Sequence, residues 1–243
     1  MVLSVFKKEF RYFFSTPTGY IVLGLFWLAI SLFLWVIPGQ YNIMDSGYAQ
    51  LDGLFQLSPW LFMFLCPAVC MRMFAEEMQN HTWELLATKP ISCTQIVLGK
   101  FLAAWVLTII ALLPCIFHYH MVWALAEPVG NIDSGAFRGA FIGLIFLTAA
   151  NCSIGLFTSS LTQSQIVAFI LGLLLCFLLF YGFDLASELF TNGKTVQTIQ
   201  QAGFHAHYKS ISRGVIDSKD ITYFLSVTAI FILITIKKMS ARK

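Results

Sequence analysis

Three glutamates and a histidine interrupt an otherwise apolar chain at residues 76–90, EEMQNHTWELLATKP, and charges so placed either solvate a loop or hold a partner. Elsewhere the residues able to do chemistry come in small groups. His118 and His120, then His205 and His207, form two His-x-His pairs whose four imidazoles could ligate copper or zinc. Cys66 and Cys70 share a helix face at i, i+4. Gly193-Lys194-Thr195 has the ending of a phosphate-binding loop.

Spacing argues against each of these as a reactive site. Residues two apart on a helix point about 200° apart, so a helical His-x-His pair does not converge on one ion. Cys66 and Cys70 have no His or carboxylate beside them. All six cysteines fall in apolar runs or on the inner side, where they read as small packing residues and not as disulfides. Glu188 stands where a phosphate loop needs its first glycine. No HExxH or GxSxG occurs, and no serine has a histidine and a carboxylate at its own depth. The expectation is a non-catalytic chain with no cofactor and no metal; any ATP it depends on is hydrolysed by another chain.

The elements that position these residues follow from composition. Of 243 residues, 58% are hydrophobic and only 11% charged, and mean hydropathy is +0.77. A soluble domain carries about a quarter charged residues, so this chain is solvated by lipid. Net charge is +3 without a long Lys/Arg run, so nucleic acid is not a partner. Six runs approach the roughly 20 residues that cross a bilayer, near 19–38, 55–75, 97–123, 136–158, 165–185 and 221–237. The predicted fold is an all-α, six-helix membrane protein forming a single transmembrane domain, 1–243.

Placing both termini inside puts Lys7, Lys8, Arg11, Arg72, Lys89, Lys100, Lys237, Lys238, Arg242 and Lys243 there, leaving five cations outside. That is the orientation expected when positive charge stays in the cytoplasm. Residues 76–90 are then cytoplasmic, which leaves the sequon Asn80-His81-Thr82 without meaning. Residues 186–220 form an outer loop. Residues 1–18 alternate Val2, Leu3, Val5, Phe6, Phe10, Phe13 and Phe14 with Lys7, Lys8, Glu9 and Arg11, the pattern of a helix lying in the membrane interface. Pro17 turns it into the first span.

Within the spans, Pro67 and Pro114 predict kinks. Asn151 is the most polar buried side chain and is expected to bond a neighbouring helix. No charge falls in the middle third of a span, so there is no ion relay. Gly139 and Gly143 head a strip of small residues suited to close helix packing, inside the subunit in preference to between subunits. Arg72 and Glu76 pair at i, i+4 in the weaker order. Thr82 to Thr88 predict about two helical turns, with Trp83, Leu86 and Ala87 on one side and Glu84 outward, stopped by Pro90. Ser92-Cys93-Thr94-Gln95 reads as a capping box. A short helix tied to two spans moves both when pushed.

Residues 67–103, PAVCMRMFAEEMQNHTWELLATKPISCTQIVLGKFLA, resemble the coupling region of type-two ABC export permeases. That region carries an acidic pair, a Gly-Thr, a Glu-Leu-Leu, a proline and a Gly-Lys. Here these are Glu76-Glu77, His81-Thr82, Glu84-Leu85-Leu86, Pro90 and Gly99-Lys100. HYKSISRGVIDSKDITYFLS at 207–226 is similar to the segment leading into the family's last span, and KEFRYFFSTPTGYIVLGLF to its start. Within the family the likeness is to the gliding-motility-associated, GldF-type branch. His81 stands where glycine is usual, and Cys70 where threonine is.

The resemblance implies a half-permease of the bacterial inner membrane that pairs with a GldG-like second permease and two copies of a GldA-like ATPase. Glu76, Glu77, His81, Thr82, Glu84, Leu85 and Leu86 become the ATPase contacts, and ATPase closure pushes the 76–90 helix to tilt spans two and three. Two alternatives stay open. One is an ATP-driven assembly or mechanical platform without a transported solute; the other, from the outer histidines, is a permease serving copper-site maturation.

Overall fold

The computed structural model describes residues 1–215 and 217–242, apart from the side chain of Ala87. Lys243, counted with the inner cations, Ile216 within the 207–226 block, and the expected inward face of Ala87 lie outside the described residues. Helix accounts for 80% of the chain, and no strand occurs among the described residues. Among the described residues, six helices are long and apolar enough to cross a membrane.

The chain opens with α1 (Val2–Ser15) and turns at Thr16 into α2 (Pro17–Trp35), whose first residue is a proline with φ suited to a helix start. A short α3 (Ile43–Ser46) precedes α4 (Asp52–Gln79), α5 (Thr82–Ala87) and α6 (Cys93–Leu125). After α7 (Ser134–Leu161) comes a fifth span made of α8 (Gln165–Phe177), a π-helical stretch Leu178–Gly182, and α9 (Phe183–Ser187). Then follow α10 (Gly193–Gln200), α11 (Phe204–Ile211) and α12 (Ser218–Ser240). Ser92, Asp133, Ser164 and Asp217 each cap a long helix through the side chain, satisfying amides that the first turn leaves free.

Helix lengths depart from the expected spans in an informative way. A helix of about 20 residues crosses the apolar layer, yet α4 has 28 and α6 has 33. Both overshoot, and their extra turns carry the polar clusters described below. Both also run on through their prolines, Pro59 and Pro67 in α4 and Pro114 in α6. The 186–220 segment, expected as a loop, holds α10 and α11; α11 is seated because Phe204, Tyr208 and Ile211 recur at helical spacing and are buried against the bundle, whereas α10 buries no residue.

At the centre α4, α6 and α7 pack together, with 67%, 61% and 72% of their apolar windows buried, against 28%, 22% and 28% for α2, the fifth span and α12. Small residues set the closeness: a Cβ on Gly155 of α7 would lie 2.9 Å from Cys70 Cβ of α4. Ser159 reaches from α7 into the α4 backbone, accepting from the Phe74 and Ala75 amides at 3.0 and 3.1 Å and donating to the Met71 carbonyl at 3.0 Å. The Asn151 amide nitrogen is buried and finds no acceptor among the described residues, so the interhelical bond expected of it is not made by that atom.

Candidate coupling site

The overshooting ends of α4 and α6 meet α1 around one buried cation. Lys100 sits in the second turn of α6 with no exposed side-chain surface, donating to Glu9 Oε1 at 2.8 Å and to the Met73 carbonyl at 2.6 Å. Glu77 Oε2 lies 3.0 Å from the same ammonium, an ionic contact without hydrogen-bond alignment. Glu77 Oε1 accepts from Lys8 Nζ at 2.7 Å, and Lys8 stands 3.5 Å from Glu9 Oε1. The four charges close a ring of alternating sign, joining α1, α4 and α6. Burial of the Lys8 ammonium opposes its charge, but the Glu77 and Glu9 carboxylates outweigh that and hold its pKa above the usual value.

Gly99 explains how α1 comes near enough. A Cβ at that position would stand 2.8 Å from Val5 Cβ and 2.9 Å from the Val2 carbonyl oxygen, so only glycine lets α1 lie across α6. The Gly-Lys pair of the resemblance thus has two physical tasks: one residue makes room for α1, the next binds it.

A second hub fixes the α1–α2 corner. Arg72 pairs with Glu76 Oε2 at 3.0 Å and donates to Thr18 Oγ1 at 2.6 Å and to Tyr12 Oη at 2.8 Å. Tyr12 donates to Glu76 Oε1 at 2.6 Å. That carboxylate favours the protonated phenol, and the Tyr12 pKa is raised. The i, i+4 pair read from sequence is therefore one edge of a larger network. Along α1, Phe6 stacks on Phe10 and Phe10 packs at a tilt on Phe14, with centroids 5.7 and 5.1 Å apart.

The stretch 76–90 is not one helix. Glu76 and Glu77 belong to the last turns of α4; the chain then reverses at His81, whose φ of 55° and ψ of 20° are left-handed. Glycine adopts that conformation freely, and other residues do so at about 1–2 kcal/mol. The position where the family usually carries glycine is the position whose backbone asks for it. After this corner, α5 seats Trp83 against Phe74, centroids 5.8 Å apart and edge-on. The buried Trp83 indole N–H has no acceptor among the described residues.

The expected coupling residues thus divide into two sets. Glu76 and Glu77 face inward and are engaged by Arg72, Tyr12, Lys8 and Lys100. Leu86 is partly buried, and Thr82 donates to the Glu77 carbonyl at 3.3 Å. His81, Glu84 and Leu85 protrude, with side chains of His81 and Glu84 77% and 80% exposed. Sequence reasoning missed Glu9, Lys8 and Lys100 as a cluster. A lone lysine about two turns inside the longest helix was the available signal.

Gly139 and Gly143 lie at the opposite end. A Cβ at Gly139 would collide with the Gly214 carbonyl oxygen, and one at Gly143 with Ile211 Cγ2, so the strip receives α11 and the turn after it within this subunit. The four histidines do not gather. His118 accepts from Trp35 Nε1 at 3.0 Å, His205 contacts Asp184, His207 contacts Asp220 at 2.7 Å, and His120 is exposed. Among the described residues no cluster of three or more His, Cys, Asp or Glu could hold a metal ion.

Residues 3–236 match a family described as ABC-2 family transporter protein. A comparison with curated proteins returns no match. With that family match spanning almost the whole chain and six helices able to cross a membrane, the chain belongs to the ABC-2 transporter family, as a multi-pass permease subunit whose family implies a separate ABC ATPase.

Proposed function

We propose that α5 and the corner at His81 form the surface on which the partner ATPase docks, and that the charge ring passes its movement into the bundle. The observation that carries this is the division of the polar stretch into a bound base and a bare tip. Glu77 is held from two sides, whereas His81, Glu84 and Leu85 offer a charge and an apolar side chain to a partner. A displacement of the tip reaches α4 and α6 directly, and reaches α1 through Lys100.

In this reading the ring end is cytoplasmic, with both termini on that side in the bacterial inner membrane and α1 at the interface. The sequence likeness to the gliding-motility branch supports a GldG-like second permease and a GldA-like ATPase, and export or envelope work as the output. The separate engagement of His118, His205 and His207 removes the support for copper-site maturation.

The test separates tip from base. Glu84→Lys with Leu85→Ser should abolish co-purification of the ATPase encoded with this permease, while the variant inserts and melts like the parent protein. Retention of the ATPase by that variant sinks the proposal.

A further inference from the structure

At the end opposite the charge ring, a cavity of about 580 Å³ opens between the start of α4, the π-helical stretch and α11. That volume suits a small-molecule site, for which roughly 300–1,000 Å³ is usual. Its floor is aromatic: Phe55, Phe180 and Tyr208 are buried, and Tyr208 is fixed by donating to the Phe55 carbonyl at 2.7 Å. Trp60 stands at the mouth, partly exposed, its ring 4.6 Å from that of Tyr181. The π-helix is what turns Phe180 and Tyr181 together toward this space, and such one-turn expansions recur at functional sites.

The rim carries the second half of the chemistry. Lys209 and Arg213, one helical turn apart, both line the cavity, and neither has a carboxylate within ion-pair distance among the described residues. Asp52 is the acidic side chain on the lining, and His205 is already held by Asp184. Two free cations thus face one carboxylate above an apolar floor. The cavity is lined in part by Phe55, Pro59 and Trp60 of α4, one of the helices long and apolar enough to cross a membrane, and Trp and Tyr are the side chains enriched where such helices meet a membrane surface.

We propose that this cavity binds an anionic amphiphile, its phosphate or similar anion on Lys209 and Arg213 and its apolar part on the Trp60–Tyr181 wall. The ATPase-docking proposal is not needed for this: binding is measured on the permease alone, and either can fail without the other.

The purified permease in neutral detergent is titrated, with native mass spectrometry as readout, against short-chain phosphatidylglycerol, phosphatidylcholine of the same chains, and inorganic phosphate. Phosphatidylglycerol should bind about tenfold more tightly than either, the scale set by two charge-assisted contacts at a partly exposed rim. Lys209→Gln with Arg213→Gln should reduce it to the phosphatidylcholine level. Trp60→Leu should weaken both lipids, and Lys194→Gln with Lys219→Gln, exposed cations outside the cavity, should change nothing. Added salt, which requires no variant, should weaken phosphatidylglycerol selectively. Equal binding of the two lipids, equal salt response, or full binding by the Lys209/Arg213 variant overturns the proposal. So does phosphate that matches phosphatidylglycerol, which would make the site one for a free anion.

Discussion

The two ends of the bundle use charge in opposite ways. At the α1 end, Lys8, Glu9, Glu77 and Lys100 satisfy one another, and Lys100 is wholly buried. At the α11 end, Lys209 and Arg213 are exposed and, among the described residues, free of carboxylate partners. Closed pairing holds the first end together, because withdrawing Lys100 leaves two largely buried carboxylates short of their shared cation. Open pairing leaves the second end with attraction to spare for something outside the chain. Under the two proposals above, the first end carries a displacement and the second receives a ligand.

Breaking the closed end should have the largest effect. Lys100→Ala leaves two carboxylates without their shared cation, and removal of one partner from a buried pair costs about 3–5 kcal/mol. A strong fall in melting temperature in detergent is expected, with partial recovery when Glu9→Gln and Glu77→Gln are added. An unchanged melting temperature for Lys100→Ala would mean the ring is not holding α1.

Crowding α11 comes next. Gly143→Val drives a side chain into Ile211, and overpacking of this kind costs about 1–3 kcal/mol. Its melting temperature should fall, and because the damage is local to the α11 end, ATPase co-purification should survive. Loss of the ATPase by this variant would erase the distinction between the ends.

The smallest effect sharpens the corner between base and tip. His81→Gly relieves a left-handed conformation but loosens the unfolded chain, so a net gain of at most about 1 kcal/mol is expected from thermal melts. A loss instead would show that His81 contributes through its contact with Glu84, now 3.9 Å away.

The six spans were legible because apolar length alone announces them, and the capping box at Ser92 was legible because its two partners are three residues apart. The short helix from Thr82 was legible in the run up to Pro90 and is observed as α5, whereas the left-handed backbone at His81 was signalled only by the glycine usual at that position of the resemblance. Gly139 and Gly143 were recognised as packing residues; their partner, the turn at Gly214, is about 70 residues away and invisible to local pattern. Lys8 and Lys100 were read as topology charges, which is the reading a lysine near a span end invites. Only their convergence on Glu9 and Glu77 gives them a structural task.

The order in which the ring's members leave the ribosome has its own consequence. Lys8 and Glu9 are made first, Glu77 next and Lys100 last. Until Lys100 is seated, the N-terminal helix has no cation in α6 to hold it, and Glu77 has only Lys8. The helix that carries Lys8 and Glu9 thus gains its α6 anchor only when the third long helix arrives, so a chain arrested before residue 100 should leave α1 held by its α4 contacts without that anchor, and more open to protease than in the full chain.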